Sequence, residues 1–103
     1  MFTIIETTTN DIENAKLISS IILDKKLSPC VQIHNSIKSY YRWENTIKND
    51  NEYLLRIKTS NKHINTITQL INKVHKYDTP ELISYNINIE SNNYEKWFIN
   101  NIK

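Results

Sequence analysis

Glycine is absent from all 103 residues of this chain, while proline occurs twice and cysteine once. Every turn that needs a positive φ must therefore use another residue, and Asn or Asp carries the smallest steric penalty there. The stretches TTND, IHNS, WENT, KNDN, TSNK and ESNN are the candidates. The lone Cys30 cannot close an internal disulfide, which suits a reducing compartment. No apolar run approaches the roughly 20 residues that span a bilayer. The opening residues, with Phe2, Ile4 and Ile5, show no basic n-region, apolar h-region or cleavage site of a secretory leader. A surplus of one charge is missing too: 13 basic against 11 acidic residues leave +2, with the signs interspersed. Such a balance builds no field that would draw a nucleic acid or a membrane surface. The expectation is a soluble protein with neither partner.

What the chain does have is isoleucine, 18 of them spread over its whole length, together with 15 asparagines. A chain of this size holds one domain, residues 1–103, around one core. Phe2–Thr7 reads as a first strand. Asn10 followed by Glu13 resembles a capping box. Ile12, Ala15, Ile18 and Ile22 then repeat at helical spacing towards Lys26, and Pro29 prevents continuation. From Val31 the period becomes two, with Val31, Ile33, Ile37, Tyr41 and Trp43 on one face and Gln32, His34, Lys38, Arg42 and Glu44 on the other. Glu52–Thr59 reads as the third strand, with the polar residues 45–51 as the hairpin loop. A second helix, capped by Ser60 or Asn61, carries Ile64, Ile67, Ile71 and Val74 on one stripe. Ile83–Ile89 alternates as a fourth strand. A terminal helix starts near Asn92, with Tyr94, Trp97 and Phe98 along one side.

The order strand, helix, strand, strand, helix, strand, with a helical tail, is the split βαβ or ferredoxin-like arrangement of the α+β class. Two helices should cover one face of a four-stranded antiparallel sheet. The second strand is too long for that domain. Val31–Trp43 would run roughly 43 Å at about 3.3 Å per residue, against a diameter of roughly 33 Å for a compact domain of this length. Either it bends, with Asn35 and Ser36 supplying a bulge, or it leaves the domain. Tyr41 and Trp43 then project beyond their own chain, and exposed aromatic strands call for a partner. A homo-oligomer is the expectation.

The stretches SYYRWENTI, NEYLLRIKT and HKYDTPEL, in that order, with LSPCVQI before them and YEKWF after, resemble the CutA family of divalent-cation tolerance proteins over essentially the whole chain. The resemblance implies a ferredoxin-like domain with an extended hairpin of the second and third strands and a short C-terminal helix. It implies a homotrimer similar to PII signalling proteins, with the long strands forming sheets between subunits. It further implies a cytoplasmic or organellar setting, no enzymatic reaction, and a role in tolerance of divalent metals, copper above all. A PII-like trimer that binds a small ligand for signalling, without a direct metal role, is the alternative. The chain departs from the family pattern at Asn45, where Gly is usual, and at Lys76, where Pro is usual. Thr7 and Val74 stand where some members carry a Cys and a second His linked to copper.

His75 is the leading candidate metal ligand, with Glu81 as its carboxylate partner and Tyr77 and Asp78 close in sequence; copper or another divalent cation is the candidate cofactor. The structural alternative is a His75 that caps the carbonyls of the second helix. Tyr41, Trp43, Tyr77 and Trp97, with Lys58 and Glu81 as polar groups, are the candidate ligand cleft at a subunit interface. Plain interface packing is the alternative for the aromatics. His34 and His63 read as solvated, and Cys30 as a small core or interface residue. Arg42 and Arg56 read as cross-hairpin partners of Glu44 and Glu52. Two other functions on this fold lack their residues. An RNA-binding third strand needs basic and Gly residues among its aromatics, which NEYLLRIKT does not have. An acylphosphatase-like hydrolase needs a glycine-rich anion loop, and no Ser-His-Asp or Cys-His set replaces it.

Overall fold

The computed structural model describes residues 1–103. Its elements are β1 Phe2–Thr9, α1 Ile12–Asp24, β2 Cys30–Trp43, β3 Thr46–Ser60, a 3-10 turn Asn61–His63, α2 Ile64–Val74, β4 Ile83–Ile87 and α3 Asn92–Asn100. The strands form one antiparallel sheet in the order β2-β3-β1-β4, which is the split βαβ topology. Ala15, Ile18 and Ile22 of α1 and Ile67 and Ile71 of α2 meet Ile5, Leu55 and Ile57 of the sheet in a single core. Each of these isoleucines and leucines contributes roughly 1.5–3 kcal/mol by leaving water. No helix is long and apolar enough to cross a membrane.

The helix ends show how a chain without glycine turns. The cap of α1 is Asp11 rather than Asn10, its carboxylate accepting the Glu13 N–H at 2.9 Å. At the other end Lys26 adopts φ 58°; its N–H donates to the Leu23 carbonyl at 3.0 Å, and the Leu27 N–H donates to the Ile22 carbonyl at 3.1 Å. That is a Schellman motif, and its apolar residue Leu27 packs into the core. Positive φ occurs at Lys26, Ser36, Glu44 and Asn45, so only one of the four is an Asn or Asp. The others accept a strain of roughly 1–2 kcal/mol each that glycine would avoid.

The hairpin differs from its sequence reading. Glu44 and Asn45, with φ of 49° and 65°, make a two-residue turn of the I′ kind, and Trp43 pairs directly with Thr46. Residues 46–51 are therefore strand and not loop. Apart from Ile47 they are polar, and nearly all are exposed, so no hydrophobic period marks them. β4 likewise stops at Ile87 rather than Ile89.

The bulge at Asn35 and Ser36 does more than bend the strand. His34 pairs with Leu54 and Ile37 with Glu52, so two residues of β2 oppose Tyr53 alone. Val31 and Ile33 lie opposite Ile57 and Leu55 and point to the helices, whereas Ile37, Tyr41 and Trp43 lie opposite Glu52, Lys48 and Thr46 and point to the other, open face. The odd residues of β2 thus occupy two faces, not one. β1 covers β3 only from Tyr53 to Ser60, which leaves Ile37–Trp43 and Thr46–Glu52 as a two-stranded arm. The molecule extends 46 × 25 × 21 Å, with a radius of gyration of 14.4 Å, above the ~13 Å of a compact domain of this length. The long strand both bends and leaves. At the far end of the open face α3 closes over the sheet, with Phe98 fully buried and its ring 5.1 Å from that of Phe2.

Candidate functional site

The open face carries a row of carboxylates where the arm joins the domain. Asp50 and Glu52 stand two apart on β3 and so share a face. The Tyr41 hydroxyl donates to Asp50 and the Tyr77 hydroxyl to Glu52 at 2.7 Å. On β1, Glu6 accepts from the Tyr85 hydroxyl at 2.8 Å and pairs with Arg56 at 3.5 Å. Each phenol is held above its ordinary pKa. For Tyr77 burial dominates, followed by its bond to Glu52; for Tyr41 and Tyr85 the carboxylate bonds dominate. All three remain donors through the physiological range. Glu81, in the loop before β4, is raised by partial burial and then by the charges of Glu6 and Glu52. Glu52 itself is buried, so the Tyr77 hydroxyl supplies what water would otherwise provide.

His75 closes α2 and ties it to β1. Its Nε2 donates to the Thr8 carbonyl at 2.9 Å, and its Nδ1 accepts the Tyr77 N–H at 2.9 Å. These partners define the neutral tautomer with the proton on Nε2. Burial holds the ring below the ordinary imidazole pKa, against opposing effects of the Thr8 bond and the Glu52 charge. The ring does not reach the carbonyls of its own helix. Asn14 does that work: its amide donates to the Val74 carbonyl at 3.0 Å, and its oxygen accepts the Lys76 N–H at 3.1 Å. With both ring nitrogens engaged, a metal ion at His75 would have to displace a hydrogen bond. Nor do any three His, Cys, Asp or Glu side chains converge in the chain. The donor set of one chain does not fit a divalent-cation site.

The candidate residues separate into three places. His75, Tyr77, Glu81 and Tyr41 gather around the carboxylate row at the root of the arm, and Trp43 lies at the arm's tip. Lys58 sits under α3, where its Nζ donates to the Tyr94 hydroxyl at 3.2 Å and lies 5.4 Å from that ring's centroid; Tyr94 in turn stacks on Trp97 at 5.4 Å. Along an extended β3, Lys58 is roughly 26 Å from Asp50. No single cleft of one chain holds the whole set. Four further pairings emerge only in three dimensions. Arg56 pairs with Glu6 and not Glu52, because β1 lies next to β3 and sets these residues side by side. Arg42 lies opposite Ile47. His63 is buried, its Nε2 2.6 Å from the Lys103 carbonyl, and is not solvated as its polar neighbours in sequence suggested. Cys30 is half-buried and paired with Lys58 in the ladder. Asp50 and Glu52 were detectable as an i, i+2 pair had residues 46–51 been read as strand. Glu6, Tyr85 and Asn14 carry no such local signal.

A family model described as CutA1 divalent ion tolerance protein matches residues 3–101. The chloroplastic protein CutA of Arabidopsis thaliana is 36% identical over 91 residues, covering 88% of this chain and 50% of the relative. The chain spans about half the length of several curated relatives it matches. Among solved structures, CutA1 from Oryza sativa superposes with a TM-score of 0.94 at 31% identity, covering 99% of this chain and 94% of that one. The periplasmic divalent cation tolerance protein CutA from Archaeoglobus fulgidus superposes with a TM-score of 0.94 at 27% identity, covering 100% of both. Family match, close relatives and a superposition that includes the protruding arm agree: the chain belongs to the CutA1 divalent ion tolerance family.

Proposed function

We propose that this chain works as a homotrimer in divalent-metal tolerance, with copper or a related cation contacted where copies meet. The observation that carries the reading is the bare arm. Tyr40 is 69% exposed, Ile47 68% and Trp43 49%, on a two-stranded ribbon that the rest of the chain leaves bare beyond the Tyr77–Glu52 contact at its root. Such a ribbon is marginal alone in water, and a second copy laid along it would bury both its ladder edges and its aromatics. Tyr41 and Trp43 share the face of Asp50 and Glu52, so docking there would carry a neighbour's side chains to the carboxylate row. A cation held at that junction would draw donors from more than one copy, Glu81 among them. This accommodates the misfit within one chain.

A second reading, a small-ligand signalling trimer without direct metal contact, is favoured by His75, whose nitrogens are both in use. In either reading the chain binds and assembles and catalyses no reaction, in line with relatives named for tolerance. The setting proposed is the cytoplasm, although relatives bear chloroplast and periplasm in their names; cell fractionation with an antibody to the chain decides it. Light scattering combined with copper titration tests the main reading. The expected mass is three times the 12.3 kDa of one chain, and replacing Trp43 and Ile47 together by serine should yield monomers that no longer bind copper. A monomeric wild type overturns the assembly, and full copper binding by the monomeric variant overturns the shared site.

A further inference from the structure

On the helical face, away from the carboxylate row, a cleft of about 420 Å³ opens between the turn that follows α1, one side of α2 and Lys103. Its polar lining is Lys25, Thr66, Gln69, Lys73 and Lys103, with no Asp or Glu side chain among them. The ion pairs of the chain join Lys16 to Glu13, Arg56 to Glu6 and Lys76 to Asp11, so the three cleft ammonium groups are unpaired. Three uncompensated cations around one concavity would repel one another, and nothing in the packing of α1 on α2 requires them there.

The cleft is held in shape by contacts already described. Thr66, Gln69 and Lys73 follow one another at i, i+3 and i+7, so a single stripe of α2 faces it. The Schellman turn at the end of α1 fixes Lys25 beside Leu27, which with Leu70 forms the apolar wall. Lys103 is tied at two points: its N–H donates to the Lys26 carbonyl at 2.8 Å, and its carbonyl meets His63 Nε2 at 2.6 Å. The buried His63 thereby gains a role as an anchor for the third lysine.

We propose that this cleft binds a small multivalent phosphate. Ammonium groups from three separate segments, a hydroxyl and a carboxamide supply donors to several oxygens at once. The volume lies in the range of small-molecule sites. The ligand is either an inorganic polyphosphate or a phosphorylated metabolite, which share this chemistry. Copies joined through the arm and the open face leave the helical face in solvent, so the cleft stays accessible in the assembled protein.

The test is a titration of the full chain, free of added metal, with inorganic pyrophosphate and separately with glucose 6-phosphate, read by calorimetry and by backbone amide shifts. Saturable binding should move the amides of Lys25, Thr66, Gln69 and Lys73. Lys73→Gln should weaken it about fivefold, and Lys25→Gln with Lys73→Gln by more than about tenfold, as expected for loss of charge-assisted bonds at a partly exposed site. Lys62→Gln, on the surface outside the cleft, should leave it unchanged. Tighter pyrophosphate assigns an inorganic ligand, and tighter glucose 6-phosphate assigns an organic one. No saturable binding of either at millimolar concentration, or equal weakening by Lys62→Gln, overturns the proposal. Circular dichroism and thermal melts of each variant separate loss of the site from loss of the fold.

Discussion

Replacing His75 by alanine asks whether its ring is a brace or a ligand. The substitution removes the donor to the Thr8 carbonyl and the acceptor of the Tyr77 N–H. Each bond is worth about 1 kcal/mol net, and a buried carbonyl left without a donor adds about 1 kcal/mol more. Thr8 is only 8% exposed, so water replaces the donor poorly. The total is about 2–3 kcal/mol, which in a domain of this size lowers the midpoint of melting by roughly 10–20 °C. The pH dependence has a definite sign. The ring titrates below 6.5 in the folded chain, so above 6.5 it is neutral whether folded or not and its contribution is complete. As pH falls below 6.5 the unfolded chain takes up the proton first, and the contribution declines until the folded ring also protonates. The cost of His75→Ala should therefore be greatest at about pH 7.5 and smaller at about pH 5.5. Urea unfolding at both values and one protein concentration measures it. A cost below about 0.5 kcal/mol at the higher pH, or one that grows on acidification, refutes the brace. So does a copper affinity that falls more than about tenfold, or about 1.4 kcal/mol, when wild type and variant are compared well below their melting points.

Two further outcomes follow from the local geometry. Glu44→Asn combined with Asn45→Gly places the preferred pair in the I′ turn and should raise stability by about 1 kcal/mol; a loss in denaturant unfolding would contradict the assigned turn. Tyr77→Phe deprives the buried Glu52 carboxylate of its phenol donor and should cost about 1–3 kcal/mol, whereas an unchanged midpoint would show that Glu52 is hydrated.

The element order, the core isoleucines and the over-long strand were all legible in the sequence because each is a matter of period or length. Ile18, Ile22, Ile67 and Ile71 sit at helical spacing, and all four are buried. The family motifs likewise pointed to the right relatives. The arm's second strand was not legible, since residues 46–51 carry a single apolar side chain, Ile47, and a strand pairing carried mainly by backbone leaves little mark on side-chain type. The face change of β2 was hidden for a related reason. Asn35 and Ser36 suggested a bulge, but whether the odd residues change face depends on how many of them oppose the partner strand.

For the site, composition and motif selected His75, Tyr77, Glu81 and the aromatics, whereas only the folded chain decided which of them meet. Hydrogen bonding is set by strand register and by the packing of a loop onto a distant strand. Thr8 and His75, or Glu6 and Tyr85, are neighbours through the sheet and far apart in the chain. The sequence by itself therefore determined that one ferredoxin-like domain would form, with a second strand too long for it. Tertiary structure alone decided that His75 uses both nitrogens within its own chain, that Lys58 and Trp97 belong to the far end of the sheet, and that three lysines from separate segments share a cleft. Periodicity is a local property of the chain, while convergence of side chains depends on long-range register.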